Sequence, residues 1–368
     1  MSKIHFLVVV PPPTTGMTLA SLAMAEKFEQ LGEIEIERRY VSAAHGQTGL
    51  RWGLRKHLAL LRRYPWTSRG ALYVVVDSGR GMIGTLVLIA LARVQGRRIL
   101  AHHHAWSYLG RENVVLSLLV RVGGKRTMHI VLSDSMARAL RFAGSYPART
   151  QVVSNAGLIS PPDMTDAPAE TTGRRVKLGM LGNLTLDKGV DVAVSTLRAL
   201  ESEGIAATLT LAGPIAKDAD EYLSAQPAAN LERVGPLQDR AKFDYLRQLD
   251  LLLFPSRYAN EAQPLVIWEA LAVGTPVIAT AVGAIPELAD TGGLCIVPSD
   301  RAFSEAVIDV LRGDIALIRS DARASYSRAA CDTVSSIEKL ADVIVDKQSA
   351  RPSRTANELF HRKSRGLS

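Results

Sequence analysis

Two glutamates in one largely apolar segment, residues 254–288, are the side chains of this sequence best placed to do chemistry. Glu261 and Glu269 are eight residues apart, and Glu269 lies within the otherwise apolar run PLVIWEALAV. A helix that is apolar all round is buried, and a carboxylate on it is costly unless something binds it. Pro264 suits the first turn of that helix, which leaves Glu261 in the preceding loop. We therefore expect the two carboxylates to hold two parts of one ligand, with the N–H groups of the helix start facing an anion such as phosphate.

The residues around these glutamates resemble the donor-binding signature of retaining family-4 glycosyltransferases, which have the GT-B fold. The matching positions are Pro255, Ser256, Glu261, Glu269, Ala270, Gly274, Pro276, Val277, Gly283 and Glu287. The resemblance implies an α/β protein with two doubly wound, Rossmann-like parallel-sheet domains facing a cleft. It implies that Glu269 holds the ribose of a nucleoside-diphosphate sugar and that Glu261 contacts the sugar hydroxyls. The diphosphate would meet the helix start, made of Ala262, Gln263, Pro264 and Leu265.

A second segment, GNLTLDKGVD at residues 182–191, resembles the other donor motif of that family. The matches are Gly182, Leu184, Lys188, Gly189 and Asp191. The resemblance implies that Lys188 is the cation at the donor diphosphate, where it would stabilise the charge that builds on the leaving oxygen. The alternative is a surface lysine in the first turn of a helix. Asn183 stands where the family usually has arginine, and Arg257 is the candidate to supply the missing charge.

Three histidines and one glycine are the candidates in the first half of the chain. His102–His104 follow an apolar run at a point where the family often has a histidine facing the transferred sugar, so His103 and His104 both remain candidates. Three successive histidines on an extended chain cannot all face one metal ion, which argues against a zinc site. Gly16 lies in a loop where it would let the backbone approach the donor phosphate or the acceptor closely.

One acidic motif could be mistaken for a metal-binding site. Asp218-Ala219-Asp220 spells the D-x-D metal motif of the other major glycosyltransferase fold. Its polar surroundings indicate a solvated helix start instead. We therefore expect no obligatory metal and no cofactor.

Apolar runs alternate with helical stretches in both halves. This pattern predicts one parallel sheet in each half, with helices on both of its faces. We predict an acceptor-binding domain over residues 1–160, a linker over 161–174 and a nucleotide-sugar donor domain over 175–344. A C-terminal segment, about 345–368, is expected to cross back onto the first domain. The predicted strands are 4–10, 72–76, 98–102, 129–132, 151–154, 177–180, 208–211, 251–254, 277–279 and 294–297. The predicted helices are 17–30, 52–63, 82–94, 111–122, 134–142, 188–203, 240–248, 264–273, 301–312 and 335–347.

Composition narrows the class of protein. Apolar residues make up 47% of the chain, which argues against disorder. Two cysteines make no disulfide framework and favour a reducing compartment. The N-terminal apolar run is cut by prolines and is a poor signal peptide, and the longest apolar stretch, 82–92, is too short to span a bilayer. We therefore predict a cytoplasmic protein, peripheral at the inner membrane face.

Charge is distributed unevenly along the chain. Residues 1–170 hold 21 Lys and Arg against 11 Asp and Glu, whereas the rest of the chain is close to balanced. The excess concentrates in residues 51–69, which hold Arg51, Arg55, Lys56, Arg62, Arg63 and Arg69 with Trp52, Tyr64 and Trp66 between them. Such a segment can lie on an anionic membrane surface, and the alternative is a solvated basic helix that binds nothing. No nucleic-acid-binding fold is legible, so we expect no nucleic-acid partner.

These observations predict a retaining hexosyltransferase that acts on a glycan or lipid-linked acceptor in surface polysaccharide biosynthesis. A sugar-nucleotide epimerase on the same fold is one alternative. A non-catalytic nucleotide-sugar-binding protein is another, which Asn183 favours. A nicotinamide dehydrogenase is disfavoured because no G-x-G-x-x-G follows a predicted strand.

Overall fold

Two six-stranded parallel sheets, one in each half of the chain, form the frame of the protein in a computed structural model. The structure describes residues 2–11, 15–42, 50–109, 112–142, 148–162, 175–299 and 301–345. The predicted linker, 161–174, and the predicted crossover segment, 345–368, lie almost wholly outside the described residues.

The central strands of the first sheet, from β1 to β5 in its strand order, are mostly apolar and buried, as expected where helices cover both sides. Its strand order is β2-β1-β3-β4-β5-β6. The strands are β1 (Ser2–Val10), β2 (Ile34–Ser42), β3 (Ala71–Val76), β4 (Ile99–His103), β5 (Thr127–Val131) and β6 (Arg149–Val152). The helices between them are α1 (Gly16–Gln30), α2 (Leu50–Arg63), α3 (Gly81–Val94), α4 (Val114–Gly123) and α5 (Asp134–Phe142).

The second sheet repeats this arrangement, with the order β12-β11-β10-β7-β8-β9. Its strands are β7 (Val176–Leu181), β8 (Ala207–Ala212), β9 (Leu231–Arg233), β10 (Leu251–Phe254), β11 (Val277–Thr280) and β12 (Leu294–Val297). Its helices are α6 (Val190–Ser202), α7 (Lys217–Ala225), α8 (Asp239–Gln248), α9 (Leu265–Ala272), α10 (Phe303–Arg312) and α11 (Ile315–Val345).

Each sheet has one point at which the chain reverses the direction in which it adds strands. In the first sheet this switch point lies between β1 and β3, and in the second it lies between β7 and β10. Ligands of such sheets bind in the crevice at the carboxyl ends of the strands beside the switch point. The topology therefore selects the residues after β3, β7 and β10 as the places to look for chemistry.

The long helix α11 joins the two halves. Its earlier part packs on the second half through Ala322, whereas Ile337, Leu340 and Ile344 lie in the core that β1 forms with its neighbours. The crossing contact is therefore made before residue 345. None of the described helices combines the length and the apolar character needed to span a bilayer.

The sequence prediction missed two strands, β2 and β9, and both are edge strands. In β2, charged side chains conceal the alternation of Ile34 and Ile36, and they are balanced by ion pairs such as Lys3–Glu35 at 2.8 Å. The prediction for α11 was also too short, because the helix starts at Ile315 rather than near 335.

Candidate active site

Lys188 and Glu261 form an ion pair at the switch point of the second sheet. Lys188 comes from the loop after β7, and Glu261 comes from the loop after β10. Ser256 Oγ also donates to Glu261 Oε1 at 3.0 Å, and the Lys188 ammonium lies 4.9 Å from the ring centroid of Tyr258. Only 7% of Glu261 is exposed. The structure thus brings together the two residues that the sequence analysis singled out from separate motifs.

Two glycines of the motifs hold the backbone of these loops in place. Gly189 has a φ of 82°, and a Cβ there would lie 2.1 Å from the Pro255 carbonyl oxygen. Gly283 has a φ of 57°, and a Cβ there would lie 1.8 Å from the Glu261 carbonyl oxygen. Both positions require glycine, because a side chain would meet the backbone in a left-handed conformation. The loop that carries Glu261 is therefore clamped between two glycine turns.

Glu269 is buried on α9, as predicted, and its charge is balanced within the second half. Lys242 Nζ on α8 donates to Glu269 Oε1 at 2.5 Å. Sequence reasoning missed Lys242, since a lysine on a polar helix belongs to no motif. The pair shows how a carboxylate on an apolar helix is accommodated.

The start of α9 lies at the boundary between the two halves. Pro264 is its N-cap, and Ala262 packs in the core of the first half. A Cβ on Gly16 would lie 3.8 Å from Leu265 Cδ1, so the start of α1 faces the start of α9. Within the described residues, the backbone N–H groups of Ala262, Gln263 and Leu265 donate to no acceptor.

The Gln263 side chain bridges the halves. Its Oε1 accepts from Ser154 Oγ at 3.1 Å and from the Asn155 backbone N–H. Its Nε2 donates to the Leu132 carbonyl at 3.3 Å, and Asn155 Nδ2 donates to the Gln263 carbonyl at 2.6 Å. The side chain of this predicted donor-binding residue is thus occupied by the first half, which leaves its backbone N–H for a ligand.

The Arg257 side chain pairs with an acidic residue and does not take the place of the cation missing at Asn183. Its guanidinium donates to both carboxylate oxygens of Asp191, at 2.7 and 2.9 Å, and to the Leu186 carbonyl at 2.6 Å. Gly182 has a φ of 137°, and a Cβ there would meet nothing within 4 Å. Gly182 and Asn183 are both exposed, so this turn is open to a ligand but carries no cation of its own.

The structure separates the two candidate histidines. His103 is fully buried, and both ring nitrogens have partners: Nε2 lies 2.9 Å from His129 Nδ1, and Nδ1 lies 3.1 Å from the Tyr108 hydroxyl. His104 is half-buried, and within the described residues its Nε2 has no hydrogen-bond partner. Of the two, His104 has the ring nitrogen without a partner among the described residues, and that atom is buried.

Burial keeps this histidine group neutral. It lowers the pKa of His104 to about 3 and that of His129 to about 4. It also holds the pKa of His102 and of His103 well below the ordinary value, with neighbouring histidines as a smaller cause. At neutral pH these rings therefore offer hydrogen bonds and no charge.

A second charged group, not predicted from the sequence, lies at the switch point of the first sheet. Asp77 directly follows β3, and its Oδ2 binds Lys56 Nζ and lies 3.1 Å from His57 Nε2. A Cβ on Gly84 of α3 would lie 1.9 Å from the His57 ring, so this glycine makes room for it. Burial alone would raise the pKa of Asp77, but the His57 ring beside it and the charge of Lys56 hold it below its ordinary value.

The acidic motif at Asp218 and Asp220 lies in the first turn of α7, as the sequence analysis predicted. Asp218 accepts from the Leu186 N–H at 3.2 Å, and Asp220 pairs with Arg233 at 2.8 Å. Among the described residues, no group of three or more His, Cys, Asp or Glu is arranged to hold a metal ion.

Comparison with known proteins finds a family similarity in the second half. Residues 175–313 match the family described as Glycosyl transferases group 1. A D-inositol 3-phosphate glycosyltransferase of Xylanimonas cellulosilytica is 32% identical over 214 residues, which are 53% of this chain and 50% of that protein. A glycogen synthase of Mycobacterium tuberculosis is 29% identical over 157 residues, 41% of this chain and 37% of that protein. The chain thus spans half or less of the length of these curated relatives.

Solved structures resemble the chain over nearly its whole length. The sucrose-phosphate synthase of Thermosynechococcus elongatus superposes with a TM-score of 0.72 at 16% identity, covering 95% of this chain and 100% of that one. HepE of Anabaena, in complex with UDP and glucose, superposes with a TM-score of 0.65 at 19% identity, covering 94% and 100%. These likenesses and the two six-stranded sheets confirm the GT-B fold. On that fold, residues 175–313 are the part that is similar to the Glycosyl transferases group 1 family.

Proposed function

We propose that this protein is a retaining glycosyltransferase of family 4, which moves a hexosyl group from a nucleoside-diphosphate sugar to a hydroxyl of a glycan or lipid-linked acceptor. The observation that carries the proposal is the Lys188–Glu261 pair at the switch point of the second sheet. In that crevice a positive charge and a carboxylate are presented together, next to N–H groups at the start of α9 that donate to no acceptor in the described part of the chain. This combination suits a sugar diphosphate, which offers hydroxyls and negative charge side by side.

In the proposed reaction, the bond between the anomeric carbon and the diphosphate oxygen breaks, and the acceptor oxygen bonds to the same face of that carbon. The leaving phosphate takes the acceptor proton, so no protein nucleophile is required. Lys188 stabilises the charge on the leaving oxygen, and the N–H groups of Ala262, Gln263 and Leu265 share that task. Glu261 accepts hydrogen bonds from the sugar hydroxyls and orients the ring, while His104 faces the sugar from the first half.

Glu269 is proposed to accept the ribose hydroxyls, with Lys242 holding the carboxylate in place at 2.5 Å. A buried carboxylate that a lysine already holds in place loses little side-chain freedom when it accepts two hydroxyl bonds. Lys242 is therefore a positioning residue for the nucleotide.

The acceptor is proposed to enter from the first half, at the switch point where Asp77 follows β3. The Asp77 carboxylate and the cations beside it could bind a hydroxyl and an anionic group of one acceptor. A cytoplasmic enzyme at the inner membrane face, serving surface polysaccharide biosynthesis, would meet a lipid-linked acceptor here.

Exposed apolar side chains of α2 support the membrane part of the proposal. Leu54 is 62% exposed, Leu58 follows four residues later on the same face, and Trp66 beyond the helix is 53% exposed. Two details of the sequence prediction are corrected: Tyr64 is buried, and Lys56 is paired with Asp77 rather than facing solvent. The side chains of Arg51 and Trp52 lie outside the described residues.

Donor binding and hydrolysis test the site. UDP-, GDP- and ADP-sugars are compared without metal by thermal shift and by release of nucleoside diphosphate. One donor is expected to stabilise the protein and to be slowly hydrolysed. Lys188→Gln and Glu261→Gln should each reduce hydrolysis by roughly a hundredfold or more, as removing one transition-state contact does, and Glu269→Ala should abolish the thermal shift.

Lys217→Gln is the matched control, because Lys217 is also near the start of a helix of the second half but its side chain is 89% exposed. It should leave binding and hydrolysis unchanged. Turnover near the wild-type level in Lys188→Gln or Glu261→Gln would refute the proposed roles.

Flotation with vesicles tests the membrane part separately. Arg55→Glu, Arg62→Glu and Arg63→Glu together should weaken flotation with phosphatidylglycerol vesicles and spare donor hydrolysis. Arg121→Glu, on the exposed end of α4, is the control. Unchanged flotation of the triple variant would contradict membrane contact through α2.

A non-catalytic nucleotide-sugar-binding protein is the second candidate. The observation that favours it is that Arg257 is held by both oxygens of Asp191 and does not replace the cation missing at Asn183. Under this alternative the donor binds without turnover, and Asn183→Arg creates measurable hydrolysis. Hydrolysis in the unaltered protein would eliminate this candidate.

A further inference from the structure

A cavity of about 290 Å³ lies at the amino ends of β4, β5 and β6, on the sheet edge opposite the active-site cleft. Four cationic side chains line it: Arg98, Lys125, Arg126 and Arg149. Each comes just before one of these strands or opens it, so the parallel sheet gathers them at one edge. Backbone of the last turn of α11 closes the other side of the cavity.

Main-chain contacts fix the guanidinium groups before any ligand arrives. Arg126 Nη1 donates to the Gly96 carbonyl, and Arg149 Nη1 donates to the Lys125 carbonyl at 3.2 Å. A guanidinium has five N–H donors, so one bond anchors each group and leaves donors directed elsewhere. Groups held in this way bind a ligand with little loss of side-chain freedom.

Charge in the cavity is unbalanced. Of the described residues that line it, Asp342 alone carries a carboxylate, against four cations. Like charges gathered in one concave site repel each other and raise the local concentration of counter-ions. The site therefore favours an anion over a neutral ligand.

We propose that this cavity binds a phosphate-bearing anion, either a free phosphate or the phosphate of a lipid headgroup. Arginine forks match the oxygens of a phosphate, and the volume lies at the small end of ligand pockets. This inference is independent of glycosyl transfer, because the cavity shares no residue with the cleft.

The bound anion would also stabilise the contact between the end of α11 and the first sheet. Arg98 Nη1 donates to the carbonyls of Val343 and Ile344, at 2.5 and 2.9 Å, and so caps the end of that helix. An anion beside Arg98 would hold the guanidinium in place and would tie the crossing helix to the first sheet. The expected readout is slower hydrogen exchange in residues 335–345.

Titration calorimetry with inorganic phosphate and with pyrophosphate, at constant ionic strength, tests the site. The titrations use the Lys188→Gln protein, because either anion could also enter the donor cleft. Binding should weaken at least tenfold in the double variant Arg126→Gln with Arg149→Gln. The charge-matched control is Arg121→Gln with Arg138→Gln, two exposed arginines elsewhere in the first half, which should bind like the parent.

Flotation of the same proteins with phosphatidylglycerol and with phosphatidylcholine vesicles distinguishes the two sources of phosphate. Binding of the soluble anions that is lost only in the cavity variant assigns the site to free phosphates. Flotation with phosphatidylglycerol but not with phosphatidylcholine vesicles, if it is lost only in the cavity variant, assigns the site to a lipid headgroup. The proposal is overturned if neither occurs, or if the control variant loses as much as the cavity variant.

Discussion

The two halves of this protein place charged side chains at equivalent points of similar sheets, but they hold them by different means. At the switch point of the second sheet, Lys188 and Glu261 sit on loops whose backbones press against Gly189 and Gly283. At that of the first sheet, Lys56 and Asp77 meet because side chains of separate elements pack together.

This difference explains which of the two sites can be recognised from the sequence. Where backbone meets backbone only glycine fits, so the second site leaves a fixed order of residues. The first site depends on packing between α2, β3 and α3, which many sequences can satisfy. A site held by its backbone can be recognised from a motif, whereas a site held by side-chain packing cannot.

The largest effect is expected from a substitution that breaks a backbone contact in the second half. Gly189→Ala forces a left-handed alanine against the Pro255 carbonyl, which should lower the free energy of unfolding by roughly 2–5 kcal/mol and abolish donor binding. Gly204→Ala is the control, since its φ is 73° but a Cβ there meets nothing within 4 Å. It should cost only the conformational strain, about 1 kcal/mol. Denaturant unfolding of both variants measures the difference, and equal losses would show that the Pro255 contact contributes nothing.

The next largest effect is a loss of stability of the first half when the pH is lowered. The pKa values of His104 and His129 are lowered to about 3 and about 4, so the unfolded state takes up protons first as the pH falls below about 6.5. The free energy of unfolding should therefore decrease from that pH down to the folded pKa values. Residues 175–345 contain no histidine, so hydrogen exchange should quicken in β3–β5 before it does in β7–β10.

His104→Gln should flatten this pH dependence, because glutamine fills part of the same space and takes up no proton in this range. Guanidinium unfolding at pH 7.0 and at pH 5.0 measures the slope. A slope identical to that of the unaltered protein would show that His104 titrates normally in the folded state.

A smaller effect tests the contact between the halves. Gln263→Ala leaves the Asn155 N–H and the Leu132 carbonyl without their partner, which should cost about 1–3 kcal/mol of stability. Gln248→Ala, at the exposed end of α8, should change stability by less than about 0.5 kcal/mol. If the two variants unfold at the same denaturant concentration, the bridge does not stabilise the interface.

The smallest effect concerns Arg257, which braces the loops of the second site. Arg257→Ala should lower the free energy of unfolding by at most about 1 kcal/mol, because its pair with Asp191 is partly exposed to solvent. Donor hydrolysis should fall only severalfold. A loss as large as that of Lys188→Gln would instead show that Arg257 reaches the diphosphate.

Much of the fold was predictable because its strands are short apolar runs between helical stretches. The order of the strands was not, since β2 is an edge strand whose charges hide its alternation and β9 has only three residues. The meeting of Lys188 and Glu261 was foreseen through the two motifs. The roles of Lys242 and Lys56 were not, because each acts through a partner that only the folded chain brings near.

Helix α11 has a consequence for how the protein is made. Synthesis delivers β1 long before α11, but Ile337, Leu340, Ala341 and Ile344 complete the apolar core on one face of its sheet. In the nascent protein that face therefore stays uncovered until α11 has left the ribosome, whereas most of the second half can fold earlier. A truncation before residue 337 would for this reason damage the part of the protein farthest from it in sequence.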